Sequence, residues 1–376
     1  MSKHAFRGAE VFDGSDLHIG KALLFDGSVI AGLCGEADVP PGFDVTELDG
    51  GTILPGFIDL QVNGGGGVMF NDETTLDGLV TIAEAHATTG TRALLPTLIT
   101  DTPDRTRAAV EAVEQAIAKR VPGVIGIHLE GPHLSIVRKG AHDPALIRKM
   151  GPEDEDFLLD AAQRLPNVMV TVAPENVTLP QIKRLAQAGV IVSLGHTDCS
   201  MVDAKAAFEA GASCVTHLFN AMSQMGNREP GLVGAALRTG GVSAGLIADN
   251  IHVHATSMAV ALAAKGGPGE VFLVTDAMST VGSNIHEFLL NGRRVIRRDG
   301  RLTLQDGTLA GADLEFGRAL GVLVDQVGVT KQDALRMVTR APAYVLNEDF
   351  GHGRLVTGTV AHAIWMDSAF GNIRGI

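Results

Sequence analysis

The sequence predicts an α/β fold, a (β/α)8 TIM-like barrel carrying a small β-sandwich made from both ends of the chain. Three observations lead there. Eight short apolar runs alternate with helix-like stretches through the middle of the chain. Five polar residues, Gln61, Glu130, His196, His217 and Asp276, each stand just past one of those runs. The two ends lack any helical period and read as short β-runs broken by Gly, Pro and Asp. In a parallel barrel the active site is built from residues at the carboxyl ends of the strands, so the second observation is also a statement about chemistry.

Taken in order, residues 1–51 contain AEVFDG, KALLFDGSVIAGL and VTELDGGTILPG. Together with 347–376, including GRLVTGTVAHAIWMD, they are assigned to the small sheet domain, and 52–346 to the barrel. Candidate barrel strands lie at 53–60, 92–98, 123–129, 168–173, 190–195, 213–217, 243–248 and 271–275. Between them DGLVTIAEAHATTG, PDRTRAAVEAVEQAIAKR, LPQIKRLAQAG and MVDAKAAFEAG read as helices, opened near Asp, Pro or Ser and closed at Gly. A doubly wound open sheet is the alternative, but eight strands favour closure. After the eighth strand the pattern breaks. Residues 285–309 read as a β-hairpin insertion with NG and DG turns, and helical texture resumes at 312–328 and 331–346.

Bulk numbers narrow the function. The 376 residues suffice for a barrel of roughly 250 residues plus an appended unit. A net charge of -13 argues against broad nucleic-acid binding, though not against a local basic pocket for one small anion. Three cysteines, Cys34, Cys199 and Cys214, are too few and too irregularly spaced for a disulfide framework, and are read as reduced thiols in a cytoplasmic protein. No signal peptide and no membrane span are expected.

The chemistry-bearing residues point to a metal. A carboxylate at the end of GVIGIHLEGP is costly to bury unless paired or metal-bound. Alone, Glu130 fits a structural ion pair equally well, and a lone His at a strand end fits a satisfied core residue. Glu130 with His196 and His217 on consecutive His-ended strands is a catalytic-type ligand set, leaving one position open for water. Asp276, in LVTDAM, is placed to take a proton from that water and pass it to a leaving amine. Gln61 and Asn63, alternate residues of strand one, stand where many metal hydrolases have His-X-His. Neutral amides are poor zinc ligands, so one divalent ion per subunit is expected, zinc foremost, with iron or another divalent ion also compatible. Arg228 in GNREPG, Asn220 in HLFNAM, His252 in ADNIHVH and His142 in KGAHDP read as a phosphate-type anion site.

The motifs PGFIDLQVNGGGGVMFND, HLEGPHL, KGAHDP, SLGHT, THLFNAM, REPGLVGA, ADNIHVH, LVTDAM and GTLAG, in this order, resemble the amidohydrolase superfamily, and within it the deacetylases of N-acetylated amino-sugar phosphates. The resemblance runs from about residue 10 onward. It implies hydrolysis of N-acetylglucosamine 6-phosphate to glucosamine 6-phosphate and acetate. It implies that Glu130, His196 and His217 bind the metal, that Asp276 is the acid/base, and that His142 polarises the acetamide carbonyl. Substrate contacts carried over are Ala141, His142, Asn220, Ala221, Arg228, His252, Leu309, Ala310 and Gly311. A small-molecule phosphorylated amino sugar is the expected partner, and a homodimer in which His252 reaches the neighbouring site. His133 and the pair Ala312-Asp313 depart from the family pattern. Two rivals stay open: another amidohydrolase on the same barrel, against which Gln61 and Asn63 count, and a sugar-phosphate sensor without catalysis.

Overall fold

The computed structural model describes residues 3–376. Eight parallel strands form its centre: β1 Phe57–Val62, β2 Thr91–Ile99, β3 Ile127–Glu130, β4 Val168–Val172, β5 Ile191–Leu194, β6 Cys214–Val215, β7 Ser243–Leu246 and β8 Val271–Leu273. Each pairs in parallel with the next in sequence. The ring closes where Val62, at the end of β1, bridges Ala277 beyond β8. There the Asn63 N–H donates to the Ala277 carbonyl at 2.8 Å.

The helices that cover this ring are α1 Leu76–Thr88, α2 Pro103–Ala118, α3 Pro152–Arg164, α4 Leu179–Gln187, α5 Met201–Ala210, α6 Gly231–Arg238, α7 Ala255–Ala264 and α8 Phe316–Val322. Local chemistry explains their ends. The hydroxyls of Thr75, Thr102 and Ser200 accept from the first-turn amides of Gly78, Arg105 and Asp203. Gly211 closes α5 at φ 123°, a conformation that a side chain would oppose. Leu79, Ile82, Val110, Val113, Leu158, Ile182 and Leu185 turn inward onto the outer faces of the strands and form a continuous core with Leu98, Leu129, Val170 and Val192.

The expected strand over 53–60 is two strands. Thr52–Pro55 belongs to a terminal sheet, and the chain enters the barrel at Phe57. Gly56 makes the transition, because a Cβ there would collide with the Arg92 side chain. Thr52–Pro55 lies between Glu10–Phe12 and Ala363–Met366, so both ends of the chain meet in one five-stranded sheet. A second sheet, of Val29–Gly35, Lys21–Asp26, Lys3–Arg7 and Asp44–Glu47, completes this region. Val11, Leu23, Phe25, Ile30, Ile53 and Ala363 pack together in its core.

The insertion after β8 is larger than one hairpin. Glu287–Leu290, Arg293–Arg298, Arg301–Thr303 and Leu309–Ala312 form a four-stranded antiparallel sheet. Its Asn291-Gly292 and Asp299-Gly300 turns have both residues at positive φ, as two-residue hairpins require. Since 309–312 is strand, the helix expected from 312 begins only at Phe316. No helix among the described residues is long and apolar enough to cross a membrane. The three cysteines are free.

Candidate metal centre and catalytic pocket

Glu130, the last residue of β3, projects into the barrel mouth and is 2% exposed. His196 and His217 follow β5 and β6 by two residues each, both at positive φ, 46° and 29°. That turn carries the imidazoles inward over the strand ends. Glu130 Oε1 lies 3.2 Å from His196 Nε2 and 3.0 Å from His217 Nε2, and the two nitrogens lie 3.1 Å apart. Three ligand-type atoms therefore form a nearly equilateral triangle. Ligands of a tetrahedral zinc, at about 2.0–2.1 Å from the ion, would lie about 3.3 Å from one another. The triangle fits a small divalent cation.

The electrostatics agree. Burial alone would raise the Glu130 carboxyl, but the two imidazoles beside it outweigh that and hold it well below the usual range. Burial would lower His217, yet its hydrogen bond to Glu130 and that carboxylate's charge raise it. The trio thus attracts positive charge to its centre. His196 Nδ1 donates to the Arg138 carbonyl at 2.8 Å, which leaves Nε2 as a lone-pair donor toward the centre. His142 brings a third ring close, with ligand-type atoms of Glu130, His142 and His196 within 4.8 Å. Its Nδ1, however, faces the Thr100 hydroxyl at 2.8 Å and accepts from the Thr100 N–H at 3.3 Å. That places the proton on Nε2 and makes His142 a hydrogen-bond donor into the site. His217 Nε2 thus completes the triangle, and His142 stands beside it as a donor.

Asp276, three residues beyond β8 at φ 49°, faces the trio. Burial first, then the charge of Glu130, raises its carboxyl to about 6. Its Oδ1 accepts from Asn63 Nδ2 at 2.7 Å and from Gln61 Nε2 at 3.2 Å. Gln61 Nε2 also approaches Glu130 Oε1 at 3.2 Å. Amide donors thus occupy the side of the site where a second ion would need ligands.

A cavity of about 380 Å³ opens above the trio, of the size that holds a small ligand. Ala141, His142, Asn220, Ala221, His252, Leu309 and Gly311 line it. His252 lines this chain's own cavity. Asp249 explains why: its carboxylate accepts from the His252 ring at 2.6 Å and from the Ile251 and His252 amides at 2.8 Å each. Arg228 is exposed and is absent from the lining. Ala310 also turns away. Alternate residues of its strand face opposite sides, so Leu309 and Gly311 meet the cavity while Ala310 packs against Met69, Ile99 and Met278. A larger open cleft of about 1020 Å³, lined by residues such as Asn250, Arg318, Gln326 and Arg374, holds no comparable trio.

Several supporting residues escaped the sequence reading. Thr100 orients His142 and Asp249 orients His252. Asp59, fully buried, accepts from the Thr275 hydroxyl at 2.5 Å and the Thr275 N–H at 3.2 Å, and so anchors the residue before Asp276. Burial raises its carboxyl to about 7. Under the trio His128, Thr171, Thr216 and Ser193 join ring and hydroxyls in one chain, each contact 2.6–2.7 Å. Only Asp249 carried a signal, standing three residues before a His in ADNIH; the others are recognised by partners distant in sequence.

Comparison with known proteins gives a consistent picture. A model described as the amidohydrolase family matches residues 52–373. N-acetylgalactosamine-6-phosphate deacetylase of Shewanella sp. is 44% identical over 320 residues, 85% of this chain and 80% of that protein. N-acetylglucosamine-6-phosphate deacetylase of Haemophilus influenzae is 33% identical over 363 residues, 96% of this chain and 94% of that one. Among solved structures, N-acetylglucosamine-6-phosphate deacetylase from Pasteurella multocida superposes with a TM-score of 0.93 at 34% identity, covering 99% of this chain and 97% of the other. A mutant of the Mycobacterium smegmatis enzyme, in complex with N-acetyl-D-glucosamine-6-phosphate, superposes with a TM-score of 0.90 at 29% identity, covering 99% and 97%.

Proposed function

The chain belongs to the amidohydrolase family, and from that premise we propose that it hydrolyses the acetamide of N-acetylglucosamine 6-phosphate, releasing acetate and glucosamine 6-phosphate. The observation that carries this reading is the convergence of Glu130, His196 and His217 opposite Asp276 at the base of one cavity. The family supplies the reaction class, and the relatives named for this deacetylation supply the substrate.

Glu130, His196 and His217 would hold one divalent metal, zinc being the ion that an N2O set with an open position suits best, with iron or another divalent ion as alternatives. Such an ion supplies a Lewis acid and brings the pKa of water near 7. The residues of the chain do the rest. Asn63 and Gln61 fix Asp276 through Oδ1 and leave Oδ2 to take a proton from the attacking water. His142, its proton held on Nε2 by Thr100, donates to the oxyanion as the acetamide carbonyl becomes tetrahedral. Asp276 then returns the proton to the departing nitrogen.

Asn220 and His252, with the backbone of Ala221, line the cavity and are the groups assigned to the 6-phosphate. Arg228 belongs to this reading only as a residue offered to another copy, since it is exposed on the 223–230 loop. A homodimer is part of the proposal. Exposed Ile136, Val137 and Met225, on the loops that also carry Arg138 and Arg228, supply apolar surface for it. A cytoplasmic location fits the free thiols of Cys34, Cys199 and Cys214.

A second substrate has a specific observation behind it. The 44% identical Shewanella relative is named for the galacto epimer. Acetate release should be measured on both hexosamine 6-phosphates and on N-acetylglucosamine without phosphate. The proposal expects turnover of at least one phosphorylated sugar and weak turnover of the free sugar. Equal kcat/KM with and without phosphate would remove the anion-site assignment.

A further inference from the structure

Two walls of the cavity come from distant parts of the chain, and they meet at one side chain. The first wall is the loop after β3, where Val137, Arg138, Gly140, Ala141 and His142 all face the cavity. The second is the antiparallel insertion, whose last strand contributes Leu309 and Gly311. Arg293, beside the Asn291-Gly292 turn, sends its guanidinium across the gap to the carbonyl oxygen of Ala141, the residue before His142.

The other ties on this loop hold different points. Arg138 pairs with Asp198 at 2.7 Å on the outer side. The His142 amide closes a local turn onto the Lys139 carbonyl at 3.0 Å. Thr100 holds the ring of His142, but not its backbone. Gly140 takes φ 55°, a conformation that a side chain would oppose, and a Cβ there would come within 3.2 Å of the His196 ring. The Ala141 methyl packs under the apolar face of the insertion, against the cluster of Leu290, Val295, Leu302 and Ala310. Arg293 thus supplies the hydrogen bond that joins the peptide carrying His142 to the sheet above it. Its neighbour Arg294 points the other way and pairs with Glu287 at the surface.

We propose that Arg293 is a positioning residue for His142: by gripping the Ala141 carbonyl it sets where the His142 Nε2–H stands relative to the metal-ligand trio, and links the insertion sheet to the reacting end of the cavity. This rests on the deacetylase reading, in which His142 donates to the developing oxyanion. A planar fork suits the task, because two of its N–H groups can follow one carbonyl through small motions, whereas an ammonium is a point donor. Misplacement of a reacting group by about 1 Å costs about 100-fold in rate.

The test uses the metal-loaded protein and its R293A, R293K and R294A variants, with acetate release from N-acetylglucosamine 6-phosphate. For R293A the expected result is a kcat lower by about 10- to 100-fold with KM within about 3-fold, since the group acts on the transition state. Metal per chain stays at the wild-type level. Guanidinium chloride at low millimolar concentration restores part of the lost kcat, and R293K falls between wild type and R293A. R294A keeps wild-type kcat. Should R293A fail to fold, R293K with its intact stem carries the same comparison. A kcat within twofold of wild type in the Arg293 variants, or a loss confined to KM, overturns the proposal. So does a loss that guanidinium leaves untouched while R293K matches R293A. Absence of acetate from the wild-type protein is a different result, and sinks the deacetylase reading itself.

Discussion

His196, His217 and Asp276 share a backbone peculiarity: each sits at positive φ just beyond its strand. Ala221, on the cavity wall, does so too, and so does Phe219 two residues before it. For residues other than Gly this costs about 1–3 kcal/mol each, and such strain clusters where side chains must be aimed. The chemistry assigned to Asp276 yields the sharpest test at this scale. Asp276→Asn keeps the shape and the Asn63 contact, yet cannot accept the water's proton. It should lower kcat by at least about 100-fold with metal content unchanged. Wild-type turnover in that variant would remove Asp276 from its role. Much at this scale was legible, because a polar residue ending an apolar run is conspicuous. Glu130, His196, His217 and Asp276 stood out that way and do converge. Thr100 and Asp59 did not, since a threonine or aspartate in an apolar strand looks like ordinary packing until its partner, 42 or 216 residues away, is seen.

At the scale of elements, glycine and histidine set how closely strands and helices approach. Gly311, at φ 64°, ends up where a Cβ would stand 2.6 Å from Met278 Cε and 2.9 Å from the Asp276 carbonyl oxygen. Gly311→Ala should push the insertion strand off the 276–278 segment. A KM raised by about 10-fold is expected, the equivalent of about 1.4 kcal/mol of binding. His86, on α1, donates to the Gly64 carbonyl at 2.9 Å, and burial lowers its pKa to about 4. Unfolded, it titrates near 6.5. Between those values the unfolded chain binds a proton that the native one refuses. The contribution of His86 is therefore complete above pH 6.5 and is lost as pH falls toward 4, at about 1.4 kcal/mol per pH unit. Urea unfolding at pH 7 and pH 5 should show a smaller acid loss for His86→Gln than for wild type. An equal loss would contradict the assignment. Element boundaries were less legible than element types. The strand over 53–60 ran two strands together because IleLeuPro and PheIleAspLeu form one apolar stretch, and only the crowding of Gly56 against Arg92 divides them. The NG and DG turns were read correctly as hairpins, because their positive φ requirement is written into the residues.

For the whole molecule, closure is the organising fact. The barrel closes through Val62 and Ala277, and a terminal sheet draws Glu10–Phe12 and Ala363–Met366 together on Thr52–Pro55. Alternating runs made the barrel readable from the sequence. The cavity's walls were not, because they depend on loops that meet only in three dimensions. The tie from Arg293 to Ala141, for example, spans 152 residues. The proposed homodimer makes a prediction at this level. Light scattering should give twice the chain mass of 39.2 kDa, and Val137→Asp with Met225→Asp should shift the protein toward monomer. A wild-type monomer would leave exposed Arg228 without a phosphate to meet.

The proposed centre holds one divalent ion per chain, between Glu130, His196 and His217. Stripping the protein with a chelator and titrating zinc back, with bound metal and acetate release followed together, tests it most directly. Binding should saturate at one ion per chain, activity should rise in step with it, and His196→Ala should abolish both. Saturation at two ions per chain, or full turnover in the stripped protein, would contradict the account.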